Sequence, residues 1–382
     1  LAAQQIEAGK PFAATAPEEI AITADGSVRR LCTGYTLYNA ADLEIETVSG
    51  VHAFALDSLE GNIRLVWHFG AEQHRLDSDG GVVWKAVGES VTLTAPDVGF
   101  KGWLFSGPAS PEALRGDSLT FAMNAPYRAY ALDGTAGAPL QDRTFVGEDG
   151  GWWHDPANWS PEGEPTLGDN VIVPEGKTVD VLATGVAGAL TVGEGATVSV
   201  FGATTALYAC VDIPHLGTAE QFVAERSRIG RHAADFARHL APALLVKGDM
   251  TVDAGASIAV GGLWQVEGSA LQVGGNLTLT GAATKLHVYA ASTNGVSLTE
   301  ATAGGRVTVF GTMTIGDGAT VEVVGDYPGG AFTVPVSFAG LKNVSTATGL
   351  TLKVNGKTKS GTLTLTESSL TFVPSGLSSA TV

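Results

Sequence analysis

Three groups of residues in this chain have the types and spacing to do chemistry. Arg226, Arg228, Arg231 and Arg238, together with His232 and His239, put a local basic cluster on a chain whose net charge is −17. Guanidinium groups grip carboxylates through paired donors, so Arg226, Arg228, Arg231 and His232 suit an acidic polysaccharide or an acidic protein partner. The same cluster also reads as the solvated face of a helix that buries Phe222, Ile229 and Phe236. His232 and His239 are too far apart to share a metal without other groups, and no metal site is assigned. Trp152, Trp153 and Trp159 form the second group. Their rings could stack on sugars, or they could close the end of a hydrophobic stack. Lys285, His287, Tyr289 and Arg306 form the third, on neighbouring segments where a polysaccharide lyase or glycosidase would gather its groups. No catalytic motif accompanies them, and no nucleophile-elbow, phosphate-loop, dinucleotide or zinc-spacing motif occurs, so no catalytic residue is assigned.

The elements that must position these groups announce themselves by repetition. Leu190-Thr-Val-Gly-Glu-Gly-Ala-Thr-Val-Ser-Val200, Met250-Thr-Val-Asp-Ala-Gly-Ala-Ser-Ile-Ala-Val260, Leu277-Thr-Leu-Thr-Gly-Ala-Ala-Thr-Lys-Leu-His287 and Met313-Thr-Ile-Gly-Asp-Gly-Ala-Thr-Val-Glu-Val323 are variants of one unit. Each reads as an alternating strand, a Gly-centred turn and a second alternating strand. Such a unit cannot bury its apolar face alone, so the copies are expected to stack as a right-handed parallel β-helix. Val192, Val198, Val200, Val252, Ile258, Val260, Ile315, Val321 and Val323 are the expected interior. The Gly-Ala pairs at 195–196, 255–256 and 318–319 are the expected corners. The period and the recurring Asp of calcium-binding nonapeptides are missing. No cofactor is therefore expected, with calcium on dispersed carboxylates kept as the alternative.

Composition agrees with many short strands and tight turns: 382 residues include 50 Gly, 44% are hydrophobic and only 16% are charged. The acidic balance argues against a nucleic-acid or anionic-membrane partner. No stretch is long and apolar enough to span a bilayer. Cys32 and Cys210 fall in different expected domains, which argues against a structural bridge. A start at Leu1 suggests a processed or excised segment.

Along the chain, residues 1–66 read as a small sandwich-like module with strands near 19–23, 34–38, 43–48, 53–56 and 64–69. Residues 67–132 read as a second β module and 133–144 as a linker rich in Gly, Ala and Pro. Residues 145–382 read as the β-helix. It is interrupted at about 218–240 by one inserted α-helix, which Thr218 and Gln221 begin as a capping box and Pro242 ends. A hairpin turning at Asn355-Gly356 is expected to cap its far end. The fold class expected is thus all-β, two small β modules followed by the solenoid.

Two segments carry resemblances. Val82-Val-Trp84, Gly88-Glu-Ser-Val-Thr-Leu-Thr-Ala95, Pro96-Asp-Val-Gly-Phe100, Gly102-Trp103, Ser118-Leu-Thr-Phe-Ala-Met123 and Tyr127-Arg-Ala-Tyr130 together resemble the internalin-type B repeat of bacterial surface proteins. The segment Ser106 to Gly116, with two prolines, is longer than in that pattern. Gly150-Gly-Trp-Trp-His-Asp-Pro-Ala-Asn-Trp-Ser160, followed by Pro165-Thr-Leu-Gly-Asp-Asn-Val-Ile-Val-Pro174, is similar to the segment that opens passenger-type β-helices of autotransporters. These resemblances imply a non-catalytic piece of a bacterial cell-surface or secreted protein, extracellular or on the cell surface, that serves presentation or adhesion. Its partners would be a polysaccharide or another surface protein. A polysaccharide-degrading β-helix enzyme and a protein-binding module working through the 218–240 helix are the alternatives.

Overall fold

A computed structural model describes residues 7–23, 25–96, 99–133, 140–201, 242–261, 269–289, 305–324, 332–342, 352–354, 357–359 and 361–374. Among these residues the protein is almost all β, with one short α-helix, Pro111–Arg115, and one 3-10 turn, Pro156–Asn158. The chain forms two compact units. The first comprises Leu1–Leu76, Val82–Val91 and Ala122–Pro126; the second comprises Asp77–Gly81, Thr92–Phe121 and Tyr127–Val382. The expected helix at 218–240 lies outside the described residues.

The first unit is organised by one long strand, Val28–Tyr38. It pairs antiparallel with Glu19–Ala21, Glu44–Ser49 and Arg64–Phe69, and at its start with Gln73 and His74. Gly34 lets it serve two sheets. Its φ of +136° and the absence of a side chain allow the backbone of Val48 to lie against it, and the register shifts between Cys32 and Gly34. A second pair, Phe12–Thr15 with Ala53–Leu56, lies over this sheet. Tyr35, Leu37 and Phe54 form the buried centre between them, with Phe12, Val48, Leu65 and Trp67 packed around it. The strands overlap the expected ones, but the strand expected at 34–38 begins already at Val28, and Phe12–Thr15, only four residues long, gave too little pattern to be found.

The second unit holds a large curled sheet of parallel strands and a smaller parallel sheet. Its strands form three ladders. The first runs through Gln141–Phe145, Asp169–Val173, Ala189–Val192, Met250–Val252, Leu277–Leu279 and the end of Arg306–Ile315. Leu190, Met250, Leu277 and Met313 therefore stand in one register column, as the repeats require. The second ladder runs through Gly151–Trp152, Thr178–Val181, Thr197–Val200, Ser257–Val260, Lys285–Tyr289, Thr320–Val324 and Leu352–Val354. Of the expected interior residues, Val192, Val198, Val200, Val252, Ile258, Val260 and Ile315 are fully buried and Val321 nearly so. The side chain of Val323 is outside the description.

The third ladder has no counterpart in the repeat pattern. Thr184–Ala187, Ala243–Val246, Ala270–Val273 and the start of Arg306–Ile315 pair in parallel. The first three of these strands are buried at every position. One side joins the common core through Ala187, Leu244, Val246, Leu271 and Val273. The other is covered by the segment containing Gly102–Phe105, fastened by Gln272, whose side-chain amide pairs with both the N–H and the carbonyl of Phe105 at 2.8 and 2.7 Å. A strand buried on both faces reads as a continuous apolar run, such as Ala-Leu-Leu-Val, and shows no alternation.

Beyond the ladders, Leu352–Val354 and Lys357–Lys359 form the expected antiparallel hairpin. A second hairpin, Gly361–Leu365 with Ser369–Pro374, pairs onto Phe332–Lys342. Gln141–Phe145, at the end of the stretch read as a linker, is a strand of the first ladder.

Candidate functional site

On the second ladder, side chains alternate between the core and the outer face. With Val179, Val198, Ile258 and Leu286 directed inward, Asp180, Ser199, Ala259, His287 and Glu322 form one outward column in register. It is an unusual outer face. Asp180 and Ser199 are fully buried, Ala259 is 2% exposed and Glu322 5%. Among the described residues the Ser199 hydroxyl has no hydrogen-bond partner, nor has that of Thr320, which stands opposite Lys285.

Glu322 is the centre of this face. One carboxylate oxygen lies 3.1 Å from His287 Nδ1 and the other 3.4 Å from Lys285 Nζ. Lys285 and His287 are two apart on one strand and so share a face, and the ladder sets Glu322 beside His287 on the next strand. Each oxygen of the carboxylate thus lies beside a nitrogen of a different side chain, Lys285 for one and His287 for the other. Glu322 went unnoticed in the sequence because a gap-free comparison of the repeats sets His287 against Val323. The turn before His287 is one residue longer than its neighbours: 280–284 connects the strands where 253–256 and 316–319 do so in the adjoining rungs. Aligning the strands rather than the whole unit would have exposed the pair.

Arg306 does not belong with Lys285 and His287. It begins a strand of the third ladder, in the other sheet, and donates to the carbonyl of Ala109 at 3.2 Å. Arg115 lies near the same strand, its guanidinium donating to Val309 O at 3.4 Å and Ser337 Oγ at 3.2 Å and stacking 5.0 Å from the Phe310 ring centre. Both arginines fasten the 106–116 segment to the ladder. Of the expected patch, then, Lys285 and His287 come together and Arg306 does not. Tyr289 shares their strand, but its side chain is outside the description.

The three tryptophans sit at the first rung. Trp153 and Trp159 are 0% and 2% exposed, and with Phe145 they belong to the main core. The Trp153 and Trp159 ring centres are 5.0 Å apart and steeply inclined, and Trp159 Nε1 donates to the carbonyl of Trp153 at 2.8 Å. Gly185 gives Trp153 its place, because a Cβ there would lie about 3.0 Å from the indole. Trp152 packs with Leu182, Ala183 and Phe201. All three rings meet protein on their faces.

Beside them is a second ionic group. His154 Nε2 accepts the Ala183 N–H at 3.1 Å, so Nδ1 carries the proton that points to Glu164 Oε1, 3.2 Å away. Arg128 reaches the same oxygen at 3.2 Å and Asp77 at 3.7 Å. Burial by itself would raise the Glu164 pKa, but the His154 hydrogen bond and the Arg128 charge outweigh it and bring the group to about 2. Asp169 is likewise held below the usual range. Burial pushes it up, and the Thr166 hydroxyl and amide with the Arg143 guanidinium more than offset this.

Arg226, Arg228, Arg231 and His232 lie outside the described residues. Among the described residues no group of three or more His, Cys, Asp or Glu side chains is placed to hold a metal ion, and no helix is long and apolar enough to cross a membrane. Comparison with family models, with curated proteins and with solved structures gives no match.

Proposed function

We propose that the second unit is a right-handed parallel β-helix that acts as a non-catalytic scaffold in a bacterial exported or cell-surface protein. Its role is to present segments inserted at one corner to a polysaccharide or to another surface protein. The observation that carries this reading is the inequality of the connections. Links from the first ladder to the second are short and nearly constant through the repeats, at 174–177, 193–196, 253–256, 280–284 and 316–319, and lengthen at the last rung, 343–351. Links from the third ladder back to the first are as short, at 188, 247–249 and 274–276, and Arg306–Ile315 needs none. Links from the second ladder to the third run over 182–183, 201–242, 261–269, 290–305 and 325–331. In stacked repeats, insertions gather on the face that the repeats leave free to bind.

The basic residues Arg226, Arg228, Arg231 and His232 fall within the longest of these links, which gives the corner a preference for acidic ligands on an otherwise acidic chain. The test is a glycan panel screened with the whole chain and with Arg228→Ala/Arg231→Ala. Capture of an acidic glycan by the parent, lost in the variant at unchanged melting temperature, is the expected result. A blank panel removes the carbohydrate reading. Capture that survives in the variant moves the site away from this corner.

A further inference from the structure

One strand edge combines open backbone groups, almost no charge and exposed apolar side chains. Gly81–Ala86 follows Gln73–Ser78 across a tight turn and pairs with that strand alone among the described residues. Its other edge therefore presents unpaired backbone donors and acceptors. Val82, Val83 and Val87 are 52%, 39% and 53% exposed and lie on both faces of the segment. Lys85 is its single charge, and it is already paired with Glu89 at 2.7 Å. Trp84 is held under the Arg29 guanidinium, 4.2 Å from its ring centre, which fixes the strand from one side.

Some other strands with a single partner are protected by charge, and the uncharged pair Phe12–Thr15 and Ala53–Leu56 exposes no large apolar side chain. Glu44–Ser49 carries Glu44 and Glu46, and Lys357–Lys359 carries a lysine at each end. Two copies of such an edge would bring like charges face to face, a standard safeguard against edge-to-edge pairing. Gly81–Ala86 has no such safeguard. In a two-fold antiparallel pairing centred on Val83, Val83 of one copy meets Val83 of the other, Trp84 meets Val82 and Lys85 meets Gly81. No charge meets its like.

We propose that Gly81–Ala86 is a self-association edge, where a second copy of this chain adds its own Gly81–Ala86 antiparallel across a two-fold axis. The two strands complete each other's ladders and cover the exposed valines. A six-residue edge pair lies at the low end of interface sizes, below about 1,200 Å², so the dimer is weak and forms at high concentration or where the chain is held in an array.

Sedimentation velocity of the whole chain between about 5 and about 500 μM should show the mass rising towards that of a dimer. Val83→Lys puts like charges across the axis and should weaken association by at least about tenfold. Val83→Cys in a Cys32→Ser/Cys210→Ser background should oxidise to a covalent dimer, because directly opposed residues in an antiparallel pair stand about 4.5–5.5 Å apart, within disulfide reach. Glu46→Cys in the same background should not. A mass that stays monomeric throughout overturns the proposal, as does equal cross-linking of the two cysteine variants. If Val83→Lys fails to fold, the cross-linking comparison decides alone.

Discussion

Gln272 fastens a covering segment to a sheet with a single side chain. A carboxamide carries a donor and an acceptor spaced like those of a peptide group, so it takes the place of a neighbouring strand opposite Phe105. Gln272→Ala leaves a buried N–H and a buried carbonyl without partners, and the expected loss is about 3 kcal/mol in urea unfolding. Glu164 contributes to the acid limb of stability, alongside Asp169. Its folded pKa of about 2 lies below the ordinary 4.5, so its contribution is complete above about 4.5 and is lost as pH falls through that range towards 2. Glu164→Gln should lose stability at neutral pH and show a flatter decline between those values, as followed by thermal melts at several pH values. At this scale the sequence was a partial guide. Lys285 and His287 could be placed because two residues apart on a strand means one face. Gln272 and Glu322 could not, because their partners come from other strands and their importance depends on what covers them.

The turns between the first two ladders share one geometry. Gly195, Gly255 and Gly318 have φ of +67°, +70° and +78°, and the following alanine donates back across each turn at 3.0 Å. That is the third position of a type II turn, where a Cβ is strained. The longer turn before Lys285 puts Ala283 there instead, at +63°. Ala283→Gly should therefore raise stability by about 0.5–1 kcal/mol, and Gly195→Ala should lower it by about 1 kcal/mol. Nothing lies within 4 Å of a Cβ built on Gly195, so its effect isolates the backbone. Differential scanning calorimetry of both variants checks the pair. Two strands of every rung were legible because each has one polar face. The third was not, because a strand such as Ala243–Val246 has none.

At the level of the whole molecule, the ladders divide constant parts from variable ones. Core residues recur in register from rung to rung, the first two corners hardly change before the last rung, and the second-to-third corner varies from 182–183 to 201–242. A scaffold that presents segments at that corner should tolerate losing one. The direct test replaces residues 202–241 with a link as short as Leu182-Ala183 and follows both circular dichroism and ligand capture. The expected variant keeps a parallel-strand spectrum, melts in one cooperative transition near the parent's temperature and no longer retains an acidic glycan that the parent binds. A variant that cannot fold without the excursion, or that binds as well as the parent, contradicts the account.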